Sequence, residues 1–189
     1  KKKLTLKEIK LIRKIAKRSK ISLFDTAENY GSSQKILGLS KLNKMKIVTK
    51  IKFNNKKNMF KNSHIDKKIN SILKQLRTKN IYAILFHDYK DILGKIGSQN
   101  IKSLNKLKKK KIVKKIGLSI YDPKELNKIW KIWKPDIVQA PLNVFDQRIY
   151  RTRWLNKLKR NNVEIHIRSC FLQGILTNYD CDNKDFNQF

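Results

Sequence analysis

The chain is 189 residues long, enough for one sizeable hydrophobic core, and its 46 Lys and Arg against 14 Asp and Glu give a formal net charge of +32. Such a charge invites a nucleic-acid or membrane-surface role. Yet Lys far outnumbers Arg, shares A/T-rich codons with the abundant Ile and Asn, and is scattered along the chain, so a base bias that fills solvated positions with Lys accounts for it.

No specific nucleic-acid partner and no membrane association are therefore expected; "KLKKKK" (Lys106–Lys111) is the one dense basic run. Cys170 and Cys181 fit neither a disulfide framework nor a zinc spacing, and no metal is expected. Without a signal peptide or a bilayer-length apolar run, the protein is expected to be soluble and cytoplasmic. The chain opens on "KKKLTLKE" with no Met and stops in the polar "CDNKDFNQF", as an internal piece of a longer protein would.

From the amino end, Thr5 and Glu8 form a capping-box pattern ahead of the amphipathic "LKEIKLIRKIAKRSK". "ISLFDTA" (21–27) predicts the first strand, followed at once by Tyr30, Gly31 and two serines, and "KIVTKI" (46–51) predicts the second. Ser63 with Asp66 repeats the capping pattern before a helix that places Ile65, Ile69, Ile72, Leu73 and Leu76 on one face. "IYAILFH" (81–87) and "KKIGLSI" (114–120) predict further strands. Pro123, after Asp122, opens the helix "DPKELNKIWKIW". "DIVQAPL" (136–142) and "VEIHIRSCFL" (163–172) complete the set. Trp130, Trp133 and Trp154 fall in helical patterns and are expected in the core rather than in a substrate wall.

Short, nearly continuous apolar strands alternating with helices imply an α/β protein with a parallel sheet, either open and doubly wound or closed into a barrel. No G-x-G-x-x-G follows any strand, which favours the barrel. Six strands do not close an eight-stranded barrel, so the expectation is an incomplete (β/α)8, TIM-type barrel of about six βα units, one partial domain over 1–189.

Parallel barrels carry their sites at the carboxyl ends of the strands. Those ends offer Asp25, then Lys50, then His87 with Asp88, and Tyr30 lies just past the first. Taken singly each has a bland reading: Asp25 as a turn residue, Lys50 as one lysine of many, Tyr30 as packing, His87 as a satisfied structural histidine. Together they make a proton-handling set. A phenol near pKa 10 is a poor acid at neutral pH, a neighbouring ammonium favours its ionised form, a carboxylate holds the ammonium, and a His can hydrogen-bond a carbonyl oxygen.

"FDTAENYGSSQKILG", "IVTKI", "ILFHD", "KKIGLSIYDPKEL", "DIVQAPLNVFDQR" and "HIRSCFLQGIL", in that order, resemble the aldo-keto reductase family over nearly the whole chain. The resemblance implies reduction of an aldehyde or ketone by NADPH, with NADH as the other choice, acting on a small carbonyl substrate. The family's catalytic tetrad would fall on Asp25, Tyr30, Lys50 and His87. In the family a Ser-Asn pair after the fourth strand of this series and a Gln in the fifth hold the nicotinamide carboxamide; Ser119 and Gln139 match these, while Ile120 stands in place of the Asn. Arg168 stands where many relatives carry an aromatic ring that stacks on the nicotinamide, and Ser169 would lie near the pyrophosphate. The family's first strand, and the carboxyl-terminal part that holds the adenosine, have no counterpart in the sequence. Two other functions compete: a non-catalytic barrel derivative acting as a binding or scaffold protein, and a polyanion-binding basic protein.

Overall fold

The computed structural model describes residues 5–40, 45–53 and 62–177, with backbone only at 62–64. Six strands follow one another in space in chain order, all parallel: β1 Leu23–Asp25, β2 Lys46–Ile51, β3 Ile81–Phe86, β4 Val113–Ser119, β5 Ile137–Pro141 and β6 Glu164–Arg168. The intervening helices are α1 Leu6–Arg18, α2 Ser33–Leu39, α3 Asn62–Leu76, α4 Gly94–Lys109, α5 Lys124–Ile129, α6 Arg148–Arg151 and α7 Trp154–Arg160, with 3-10 turns at Tyr89–Ile92 and Leu172–Thr177. Side chains of non-adjacent strands meet on one face, Asp25 of β1 with Gln139 of β5 and Tyr82 of β3 with Glu164 of β6. The sheet is therefore curled, and the fold is an incomplete TIM-type barrel, as the sequence predicts.

Two apolar layers hold it. Outside the curl, Ile47, Ile51, Ile84, Phe86, Ile116, Leu118 and Ile120 face the helices and pack on Ile65, Ile69, Ile72, Leu104, Leu126 and Leu158. Inside, Val48, Ala83, Leu85 and Ile137 form a smaller cluster. Strands with apolar side chains on both faces are what made β2 to β5 conspicuous in the sequence; β1 and β6, the outermost of the described strands, are largely half-exposed. Trp154 is buried, and Trp130 and Trp133 pack against the same core.

Local signals explain the element ends. Thr5 and Glu8 cap α1 reciprocally, Glu8 N donating to Thr5 Oγ1 at 3.2 Å and Thr5 N to the Glu8 carboxylate at 2.6 Å. The capping role read for Ser63 and Cys181 with the polar tail lie outside the described side chains. Ahead of α5, Asp122 Oδ1 accepts from Lys124 N at 2.8 Å, and Pro123 stands at the N-cap. The last strand is shorter than the apolar run 163–172: Ser169 turns left-handed (φ 58°), and Leu172 to Gly174 follow with positive φ into a 3-10 turn. Among the described residues, no helix is long and apolar enough to cross a membrane.

Candidate active site

The motif that follows β1 folds into a tight loop. Tyr30 N donates to Ala27 O at 3.1 Å and Ser33 N to Tyr30 O at 3.1 Å, a reversal that Gly31 permits by adopting φ +58°. Thr26 and Ser33 share a hydroxyl–hydroxyl bond of 2.9 Å, tying the loop to the start of α2. The result presents Asp25 at the strand end with the half-exposed Tyr30 ring beyond it.

Lys50 reaches the same point from β2. Its side chain is 2% exposed, and Nζ donates to Asp25 Oδ2 at 2.5 Å and to Thr26 O at 3.2 Å. Burial pushes the Lys50 ammonium below its ordinary pKa, and Asp25 opposes that by attraction and hydrogen bonding. His87 follows β3, its N–H donating to Ile51 O at 2.9 Å, and its ring meets Tyr30 edge-on with centroids 6.3 Å apart. Burial lowers the pKa of His87, and the charges of Lys50, Lys52 and Arg168 lower it further against the pull of Asp25. The imidazole is thus neutral at neutral pH.

The phenol departs from the sequence expectation. Lys50 Nζ lies over the Tyr30 ring, 5.2 Å from its centroid, and is engaged by Asp25. Burial raises the Tyr30 pKa, the Asp25 carboxylate and Tyr121 raise it further, and the opposing pull comes from Arg168. An ammonium that is already paired does little for a neighbouring phenol.

The remaining named residues lie along the same rim. Gln139 on β5 donates from Nε2 to Asp25 Oδ1 at 3.1 Å and accepts from Ser119 Oγ of β4 at 3.3 Å, so Lys50, Asp25, Gln139 and Ser119 form one chain across the curl. Ile120 is fully buried with the helix-side core, which leaves only its backbone facing the rim. Arg168 at the end of β6 reaches past β5, donating from Nη2 to Ile120 O at 3.0 Å and from Nη1 to Ser169 Oγ at 3.4 Å. Its guanidinium lies 4.3 Å from the centroid of Tyr121, and its Nε is buried without a hydrogen-bond partner. Ser169 is exposed, and its carbonyl accepts from Asn143 Nδ2 at 3.2 Å.

A cavity of about 310 Å³ opens beside His87, lined by Asn29, Lys52, Asp88, Tyr89, Tyr121 and Glu125 among others. Sequence reasoning missed Tyr121 and Glu125, although Tyr121 sits two residues past a strand end where the same rule could have found it. A larger cavity of about 590 Å³ lies at the opposite, amino ends of β2 to β4, lined by Lys46, Tyr82, Lys108, Lys111 and Lys114, away from this set. The floor of the curl is closed by Glu164, which accepts from Lys115, from Tyr82 Oη at 2.7 Å and pairs with His166 Nε2 at 2.6 Å. Burial alone would raise the Glu164 carboxyl, but those bonds take it down to about 2. His166 thus has a structural partner. Among the described residues no group of three or more His, Cys, Asp or Glu converges as a metal site.

A curled parallel sheet with helices on its outer face and a polar rim at its carboxyl ends defines a barrel protein of the TIM type. The chain belongs to the aldo/keto reductase family, whose sequence model matches residues 6–189. Solved structures share the fold. The holo form of an aldo-keto reductase from Bacillus halodurans superposes with a TM-score of 0.78 at 17% identity, over 95% of this chain and 62% of that one. A candidate aldo-keto reductase from Pseudomonas aeruginosa gives 0.74 at 21% identity, over 89% and 66%. A glycerol dehydrogenase from Gluconobacter oxydans gives 0.71 at 25% identity, over 93% and 57%. The chain thus spans less than two thirds to about two thirds of the length of these structures. No curated protein matches it in sequence.

Proposed function

We propose that the protein to which this chain belongs reduces a small polar aldehyde or ketone to an alcohol, using NADPH or NADH. The observation that carries the reading is the convergence of Asp25, Lys50, Tyr30 and His87 at one rim, with Lys50 buried and paired. When bound, the nicotinamide cofactor supplies the hydride that reaches the carbonyl carbon. Tyr30 Oη gives its proton to the carbonyl oxygen, and the neutral His87 donates a hydrogen bond that orients that oxygen. Asp25 and Lys50 form the fixed base on which the Tyr30 ring rests, and the positive charge of Arg168 assists release of the phenolic proton.

The residues present fit a dinucleotide. Arg168 Nε is buried and unpartnered, so it has a donor to give. Gln139 uses one of its two amide N–H groups on Asp25 and keeps the other. Ser119, Gln139, Arg168 and Ser169 are the residues assigned to hold it. The cavity beside His87 supports the substrate class, since each of the named lining side chains carries a polar group and two of them add ring faces. The glycerol dehydrogenase among the similar structures is in keeping with a hydroxylated substrate.

The test uses the whole protein, purified, with glyceraldehyde and either nucleotide, following loss of the reduced cofactor. Tyr30→Phe should lower kcat by roughly 10²-fold or more. A protein that binds the nucleotide but reduces no carbonyl, or a Tyr30→Phe variant as active as the parent, refutes the assignment and leaves a binding role.

A further inference from the structure

Among the described residues Arg168 makes no ion pair. Nor is it free to swing away. The Ile120 carbonyl holds Nη2 at 3.0 Å, and the Tyr121 ring lies 4.3 Å from the guanidinium carbon. Because the Ile120 side chain is committed to the core, the backbone oxygen at that position is what the rim offers, and Arg168 takes it. The guanidinium is fixed over the carboxyl end of β5, between β4 and β6.

Its field reaches the chemistry. Arg168 acts on Tyr30, Lys50 and His87, lowering the pKa of each. Asp25 engages Lys50 by contact, whereas Arg168 has no carboxylate within ion-pair distance among the described residues, Asp146 feeling its charge only from further off.

We infer that Arg168 makes this site hold the reduced nicotinamide cofactor more tightly than the oxidised one. The inference rests on the reading of the site as a carbonyl reductase. A hydride donor has to lie in contact with the carbonyl carbon, whose oxygen Tyr30 and His87 hold, so the ring occupies the space these groups share. The two forms carry the same phosphates and the same adenosine, and attraction for those parts cancels in the comparison. What differs is the ring, neutral when reduced and cationic when oxidised. Two like charges sharing a half-solvated rim change a binding constant on the order of tenfold. The spent cofactor is then the weaker ligand, and the site favours reduction over oxidation.

The experiment titrates the whole protein with NADPH and NADP+, and with NADH and NAD+, following quenching of tryptophan fluorescence. The parent should bind the reduced form about tenfold more tightly. Arg168→Met keeps the length of the stem and removes the charge, and should bring the ratio of the two Kd values close to one. Arg168→Lys should keep most of the preference. An unchanged ratio in Arg168→Met, with both forms still bound, overturns this inference alone. A parent that binds neither form of either nucleotide overturns the reductase reading and this with it. Should Arg168→Met not fold, the parent decides: a ratio at or below one is enough to reject the role of Arg168.

Discussion

Replacing Asp25 by Asn removes the charge that the buried Lys50 ammonium faces while keeping the side-chain shape. Asp25 serves two donors, Lys50 Nζ at 2.5 Å through Oδ2 and Gln139 Nε2 at 3.1 Å through Oδ1. An Asn has one oxygen, so one donor is left facing an NH2 group, and Lys50 keeps only Thr26 O at 3.2 Å. Breaking a fully buried ion pair costs about 3–5 kcal/mol. Lys50 is 2% exposed but Asp25 is 37% exposed, so water reaches one side of the pair and the cost should be nearer 2 kcal/mol. For a domain of this size that is a drop in Tm of roughly 4–8 °C. Urea melts at neutral pH would read it as a fall in midpoint with an unchanged m-value. Glu28→Gln, which breaks the more exposed Lys68–Glu28 pair, is the control and should cost about 0.5 kcal/mol. If Asp25→Asn costs no more than that control, Lys50 does not depend on Asp25 and the base under Tyr30 is not what the distances imply.

Two further outcomes follow from packing and from titration. In Gly117→Ala the new Cβ would lie 1.9 Å from the Ile137 carbonyl oxygen, so β4 and β5 have to part; a loss of about 3 kcal/mol or failure to fold is expected, and a variant with parental stability would contradict the strand spacing. Burial raises the Asp91 carboxyl from 3.8 to about 6 although it accepts from Phe53 N at 2.9 Å. The fold therefore favours the protonated acid, a contribution present below about pH 4 and lost as pH rises through about 6. Asp91→Asn should stabilise the protein above that range, on the order of 3 kcal/mol for a two-unit shift, and make no difference in acid; denaturant midpoints across pH check both.

The strands were legible where both faces are apolar. "KIVTKI" and β2 agree residue for residue because Lys46–Ile51 is buried from its second residue on. The end of β6 was not, since nothing in the run 163–172 marks Ser169 as the residue that turns left-handed. At the rim, reading strand ends brought Asp25, Lys50 and His87 together because a parallel sheet puts all its carboxyl ends on one side. The link from Gln139 to Asp25 escaped that reasoning, as it depends on curl and not on any local pattern. Asp91 escaped too: in "YKDILG" it has the look of a surface turn, and its burial follows from the Phe53 backbone packing over it. The raised phenol of Tyr30 came from a balance of neighbours that spacing alone does not reveal.

The Asp25–Gln139 bond joins residues 114 positions apart on strands that are not neighbours in the sheet. Neither partner can find the other until the four intervening turns of the chain have been laid down and bent. During synthesis the first acid of the set would wait, with the lysine beside it, until the fifth strand emerged and swung opposite. Contacts of such sequence separation are the slow ones to form. A rim whose groups can align only after the sheet has curved is completed as a late event of folding, so formation of the Asp25–Gln139 bond would serve as a clock for completion of the curl.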